Sequence, residues 1–180
     1  MKDENNQVKQ IEEVDEEIVK PKSILRDLLP YVAIIIFVVV LRTYVVTPVR
    51  VNGDSMVPTL LNGETLILNK MAKFKRFDVV VIKTADENLI KRVIALPNET
   101  IEVRNEKLYI NDEAVADNYK DGHTDDFGPI TLKENEYFVM GDNREISKDS
   151  RYLGPIEEKY IVGTTSFRLL PLKRVGGIDK

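Results

Sequence analysis

From Leu28 to Leu41 every residue is apolar, counting Pro30 and Tyr31, and after a lone Arg42 the apolar character continues from Thr43 to Val46. This run constrains the chain more than any other feature, because a helix built from it has no polar face to turn to water. At about 1.5 Å per residue, a helix from Leu28 to Val46 would be roughly 28 Å long, close to the ~30 Å hydrocarbon core of a bilayer. A buried core helix, a core strand and a cleaved secretory signal are the competing readings of a run this short. Arg42-Thr43-Tyr44-Val45-Val46 lacks the small-x-small pattern of a cleavage site, so an uncleaved transmembrane helix over residues 27–46 is the expectation. In it Pro30 would fall in the first turn, where a missing N–H costs no helical bond, and Arg42 would snorkel to the interface.

The segment before this run is a different kind of chain. Residues 1–26 form an acidic tail, with Glu12, Glu13, Asp15, Glu16 and Glu17 clustered and few large apolar groups to repay ordering. Lys9, Lys20, Lys22 and Arg26 precede the run, whereas Arg50 stands nearly alone just beyond it. The positive-inside rule counts Lys and Arg and gives carboxylates little weight, so the tail is expected to be cytoplasmic and residues 47–180 extracytoplasmic.

Past Thr47 the texture becomes short β-rich runs: Thr65 to Leu68, Asp78 to Lys83, Leu89 to Leu96, Thr100 to Val103, Leu108 to Ile110, Tyr137 to Met140 and Ile161 to Leu170. Asn62-Gly63, Pro97-Asn98, Asn111-Asp112, Asp121-Gly122 and Gly128-Pro129 punctuate them, and no helical period is convincing there. The expected fold class is mainly β, largely antiparallel, behind one N-terminal helix.

Composition narrows the chemistry. The 180 residues hold 26 basic and 30 acidic side chains, so no global positive field exists to bind a nucleic acid backbone, and none is expected as a partner. There is no cysteine, which removes disulfides, thiol nucleophiles and the usual structural zinc sites; neither metal nor cofactor is expected. The one histidine, His123, lies in a polar run that reads as an exposed loop, which makes a serine-histidine triad a poor fit. A nucleophile here must be a hydroxyl, a carboxylate or an amine.

Three segments could carry such chemistry. Asn52-Gly53-Asp54-Ser55-Met56-Val57-Pro58-Thr59-Leu60 sets a serine after a short strand and before a proline turn, although Gly-Asp-Ser is also ordinary turn chemistry. In the strand Leu89 to Leu96, period-two alternation groups Lys91 with Leu89, Val93 and Ala95. A lysine there is either snorkelling from an edge strand or buried for a reason. Burial would be the useful case: with an ordinary pKa near 10.4, only about one lysine in 2,500 is neutral at pH 7, and desolvation raises that fraction. The third segment, Gly141-Asp142-Asn143-Arg144-Glu145-Ile146-Ser147-Lys148-Asp149-Ser150-Arg151, follows an apolar strand and would otherwise read as a solvated hairpin turn.

Taken in order, Ser-Met-x-Pro-Thr-Leu, Lys-Arg-Val-Ile-x-Leu-Pro and Gly-Asp-Asn-Arg-x-x-Ser-x-Asp-Ser-Arg resemble the bacterial type I signal peptidases, in the small single-span form of Gram-positive bacteria. The resemblance spans roughly Leu28 to Pro171 and leaves the acidic tail outside. It implies a serine endopeptidase of the signal-peptidase β fold, shared in outline with the self-cleaving, LexA-like repressor peptidases. Carried over by position, Ser55 would be the acylated nucleophile and Lys91 its general base, with Ser147 hydrogen-bonding the lysine amine. Asp149 would pair with Arg151 and Asp142 with Arg92, as supports. Val49, Val51, Met56, Leu60 and Ile90 would line shallow pockets for small side chains at the −3 and −1 positions of secretory preproteins. The implied setting is the cell membrane, with the lipid bilayer and the protein-export translocase as neighbours.

The chain departs from the family pattern at a few places. Gly53 stands where some members have a serine whose hydroxyl helps to hold the oxyanion, so a second donor must come from elsewhere. Phe77, Ala95 and Asn98 stand where glycines are common. A non-catalytic, membrane-tethered β module and a self-processing peptidase are the alternative functions.

Overall fold

The computed structural model describes residues 21–40, 42–43, 46–85 and 87–178, and these divide into two units split between Arg42 and Thr43. The first is a single helix, α1 (Pro21–Val40). Leu28, Leu29, Tyr31 and Phe37 on it are each at least half exposed, as expected of a helix with no polar face. Its bounds differ from expectation at both ends. It starts early enough that Pro30 lies inside the helix rather than in the first turn, its bounds run to Val40, and Val46 belongs to a strand. The helix therefore trades part of the apolar run for Lys22, Arg26 and Asp27, and among the described residues no helix is long and apolar enough to cross a membrane. Of the expected acidic tail, residues 1–20 lie outside the described residues.

The second unit is mainly β. Its strands are β1 (Val46–Arg50), β2 (Thr65–Asn69), β3 (Val79–Lys83), β4 (Asn88–Ala95), β5 (Thr100–Arg104), β6 (Lys107–Ile110), β7 (Glu113–Val115), β8 (Phe127–Thr131), β9 (Glu136–Met140), β10 (Ile156–Glu157), β11 (Ile161–Leu170) and β12 (Gly176–Gly177). A large antiparallel sheet runs β1-β2-β11-β3-β4-β9-β10, with β12 on β11, and a smaller one runs β7-β6-β5-β8. Alternating valines and isoleucines of β3 and β4 divide between two clusters. Val79, Val81 and Ile90 pack with Val51, Met56, Leu60, Leu66 and Leu68, while Val80, Ile82 and Val93 pack with Tyr137, Val139 and Ile161. A third cluster, with Ile101, Leu108, Leu132 and Phe138, joins the small sheet to the large one.

The two sides of β4 are unequally paired. It bonds to β3 along Asn88 to Arg92, but to β9 only from Arg92 onward. Residues 88–91 thus have a free edge on the side where β9 stops. A short helix, α2 (Ser150–Leu153), ends the polar loop after β9 and is capped by the Asp149 side chain. Phe77 and Asn98, two positions where the family commonly has glycine, adopt φ of +68° and +65°, the region that glycine reaches without cost.

Candidate active site

Ser55 sits in the turn between β1 and β2, and Lys91 in the half of β4 that has the free edge. The Lys91 Nζ donates to Ser55 Oγ at 2.6 Å. Lys91 is only 3% exposed, and Ser55 is half-buried. Burial pushes the Lys91 amine below the ordinary lysine range; Asp149, Glu87 and Asp142 pull it part of the way back, and Arg151 adds to the lowering. With the amine neutral, the same 2.6 Å contact can be made with the Ser55 O–H donating to the Nζ lone pair, which is the arrangement an amine base requires.

The pair opens onto a groove of about 580 Å³, walled by Asn52 to Ser55, by Thr84, Ala85 and Glu87 to Lys91, and by Ile146, Lys148 and Leu153. Of the expected pocket residues, Ile90 lines it. Val51, Met56 and Leu60 are buried at 2% or less in the core cluster, with Val49 packed against that cluster, and none of these four lines the groove. Val51, Met56 and Leu60 pack with Leu66, Leu68, Val79, Val81 and Ile90, and the partly buried Val49 packs against them.

The loop after β9 is held by buried charge. Arg92 grips Asp142 with two bonds, Nε to Oδ1 at 2.8 Å and Nη2 to Oδ2 at 2.7 Å, both side chains being almost fully buried. Arg151 grips Asp149 in the same two-pronged way at 2.9 and 3.0 Å, and also donates to the Arg144 carbonyl at 2.7 Å. Asp149 accepts from the Gly141 N–H at 2.9 Å, and the Asn143 N–H donates to the Ser55 carbonyl at 3.1 Å, so this loop bonds the backbone of Ser55 directly. Ser147 is buried beside it. The expected hydrogen bond between its hydroxyl and the Lys91 amine is not made: the amine bonds Ser55 Oγ, and Ser147 Oγ has no partner among the described residues. Gly141 leaves no room here: an added Cβ would collide with Ser147 Oγ and with the Ser55 carbonyl.

Residues 24–170 match a family model described as "Signal peptidase, peptidase S26". The chain belongs to this signal peptidase family. It is 40% identical over 177 residues to signal peptidase I S of Bacillus subtilis (strain 168), an alignment covering 89% of this chain and 96% of that protein. It is likewise 40% identical to signal peptidase I P of Bacillus subtilis subsp. natto, covering 89% and 97%. Among solved structures, a signal peptidase I from Enterococcus faecalis V583 matches at 32% identity and a TM-score of 0.47, covering 52% of this chain and 97% of that one.

Several residues of this signal peptidase's site carry no role in the sequence reading. Thr59 and Arg144 stand inside the quoted motifs, and their partners could have been sought: Thr59 Oγ1 donates to Asp142 Oδ2 at 2.5 Å, and Arg144 Nη2 to Asp117 Oδ2 at 2.5 Å. Tyr119, whose ring lies 3.7 Å from the Arg92 guanidinium carbon, has no sequence signal at all. His123 is exposed, with Nδ1 2.8 Å from Glu106 Oε1 and Nε2 3.1 Å from Asp125 Oδ1; it does not line the groove.

Proposed function

We propose that this serine endopeptidase removes N-terminal signal peptides from secretory preproteins through an acyl-enzyme on Ser55, with Lys91 as general base. The 2.6 Å contact between a buried amine and the serine hydroxyl carries the reading. With its amine neutral, Lys91 takes the Ser55 proton as Oγ attacks the scissile carbonyl, and the resulting ammonium returns that proton to the leaving amine. Lys91, neutral again, activates water to release the acyl group. The Ser55 N–H is the donor we assign to the oxyanion; a single well-placed donor is worth about 10²–10³ in rate. Gly53 has no hydroxyl to add, so a second donor is backbone or water.

The free edge of β4 over residues 88–91 runs along the groove wall, which supports binding of the preprotein as an added strand. Small side chains before the cut would face Ile90 and the groove. The exposed apolar length of α1 from Leu28 to Val40 supports a single membrane anchor with residues 1–26 cytoplasmic and the β unit outside, near the exit of the export translocase. Cleavage of a preprotein bearing Ala-x-Ala before its cut site tests the reading. The detergent-solubilised full chain should cut after the second alanine, and Ser55→Ala and Lys91→Ala should not. Equal behaviour of all three would leave a binding module, and cuts confined to the chain itself would make it self-processing.

A further inference from the structure

Thr59 lies in the turn that carries Ser55, and neither acyl transfer to Ser55 nor proton transfer to Lys91 gives it a part. Its two polar groups reach in different directions. The hydroxyl donates to Asp142 Oδ2 at 2.5 Å and accepts from Arg92 Nη2 at 3.4 Å, so it is fastened to the ion pair beside Lys91. The carbonyl accepts from Arg168 Nη2 at 2.9 Å, a side chain arriving from β11. Arg168 is itself held by Glu64, whose Oε2 accepts from Arg168 Nε at 2.8 Å and from the Leu61 N–H at 3.1 Å, while Oε1 pairs with Arg174 across 2.7 Å.

Glu64 is 2% exposed and Arg168 7%, so both charges have given up water. Buried ion pairs add little stability over apolar packing of the same volume, and their best-attested use is to fix one arrangement among several. Here the arrangement they fix is that of the segment Thr59 to Leu61, a few residues after Ser55. The nucleophile stands on a turn and the base on a paired strand. Thr59 is bonded to both the turn's rear support and the strand's own ion pair.

We propose that Thr59 is a positioning residue, clamped from behind by Arg168 and Glu64, that sets the register of the Ser55 turn against the Lys91 strand. The proposal rests on Ser55 and Lys91 being the reacting pair. Misplacing reacting atoms by about 1 Å costs on the order of 10²-fold in rate, so the effect falls on the chemical step and leaves preprotein binding along β4 intact.

The test measures kcat and KM separately, on the detergent-solubilised full chain with an Ala-x-Ala preprotein, for wild type, Thr59→Val, Thr59→Ser and Arg168→Lys. Thr59→Val, which keeps the shape and loses the hydroxyl, is expected to lower kcat by about 10- to 100-fold with KM within about twofold. Thr59→Ser, which restores the donor, should stay within about threefold of wild type in kcat. Arg168→Lys, which leaves the hydroxyl and weakens the hold on the carbonyl, should lower kcat without raising KM. A Thr59→Val kcat within about threefold of wild type, a Thr59→Ser as impaired as Thr59→Val, or a KM rising in step with the loss would each overturn the proposal. Should Thr59→Val fail to melt cooperatively, Arg168→Lys decides by the same division between kcat and KM. A fully active Ser55→Ala would sink the reading of the pair itself, a separate outcome.

Discussion

Replacing Arg92 with Met should be among the most destabilising single changes in the β unit. Asp142 would keep only the Thr59 hydroxyl, having lost both guanidinium donors at 2.8 and 2.7 Å. The Phe77 carbonyl would lose its 2.8 Å donor and the Tyr119 ring its cation. Leaving one member of a fully buried ion pair alone typically costs about 3–5 kcal/mol. The stranded carbonyl would add to this by about 1 kcal/mol, although such contributions are not additive. Against a domain stability on the order of 5–15 kcal/mol, a loss of about 4 kcal/mol is large. It corresponds to a fall in Tm of roughly 10–20 °C for a unit of this size. Thermal unfolding of the detergent-solubilised chain reads it directly. Adding Asp142→Leu removes the orphaned charge, so the double variant should regain about 1–3 kcal/mol over Arg92→Met alone. The reasoning is refuted by a single variant that melts within about 3 °C of wild type, or by a double variant as unstable as the sum of the two singles.

Three further outcomes are expected at the same site. Because burial holds the Lys91 amine below the ordinary lysine range, the cleavage rate should rise with pH through that lowered value and then level off. Between the folded and the unfolded pKa the unfolded chain binds more protons, so unfolding free energy should also rise with pH across that window, and Lys91→Met should flatten the rise in a series of melts. Gly141→Ala forces a methyl into Ser147 Oγ and the Ser55 carbonyl; kcat on the Ala-x-Ala preprotein should fall by at least about 10²-fold.

The strands that alternate cleanly were legible in the sequence to within about a residue at each end, the usual uncertainty of such bounds: Thr65 to Leu68 became Thr65–Asn69, and Leu89 to Leu96 became Asn88–Ala95. Phe127–Thr131 was not, because Gly128-Pro129 reads as a turn; β8 tolerates that proline because it lies at the edge of its sheet. Val46–Arg50 was legible only as an unbounded short strand before Ser55, and the expected helix ran one residue into it, because neither length nor hydropathy separates strand from helix at the end of the apolar run. At the site, the family resemblance pointed to Ser55, Lys91 and the two ion pairs, while the residues alone offered a serine in a turn and a lysine among apolar strand neighbours. The Thr59 contacts and the Tyr119 ring were not legible, because they depend on which turns meet in space. The apolar residues expected as pocket walls illustrate the same limit: Ile90 lines the groove while Val51, Met56 and Leu60 pack in the core, and hydrophobicity alone says only that such residues leave water.

Lys91 and Arg92 are neighbours on β4 that serve opposite ends, one delivering an amine to Ser55 and the other a guanidinium to Asp142. Strand geometry sends them to opposite faces, and a slip of one residue in one direction would put Arg92 in the place of Lys91. Arg92 would then confront Ser55 with a group that stays charged at any pH the protein meets, and no proton could be taken. A misthreaded molecule of this peptidase would be inert rather than promiscuous, so pairing errors made during folding would not release an enzyme of altered specificity.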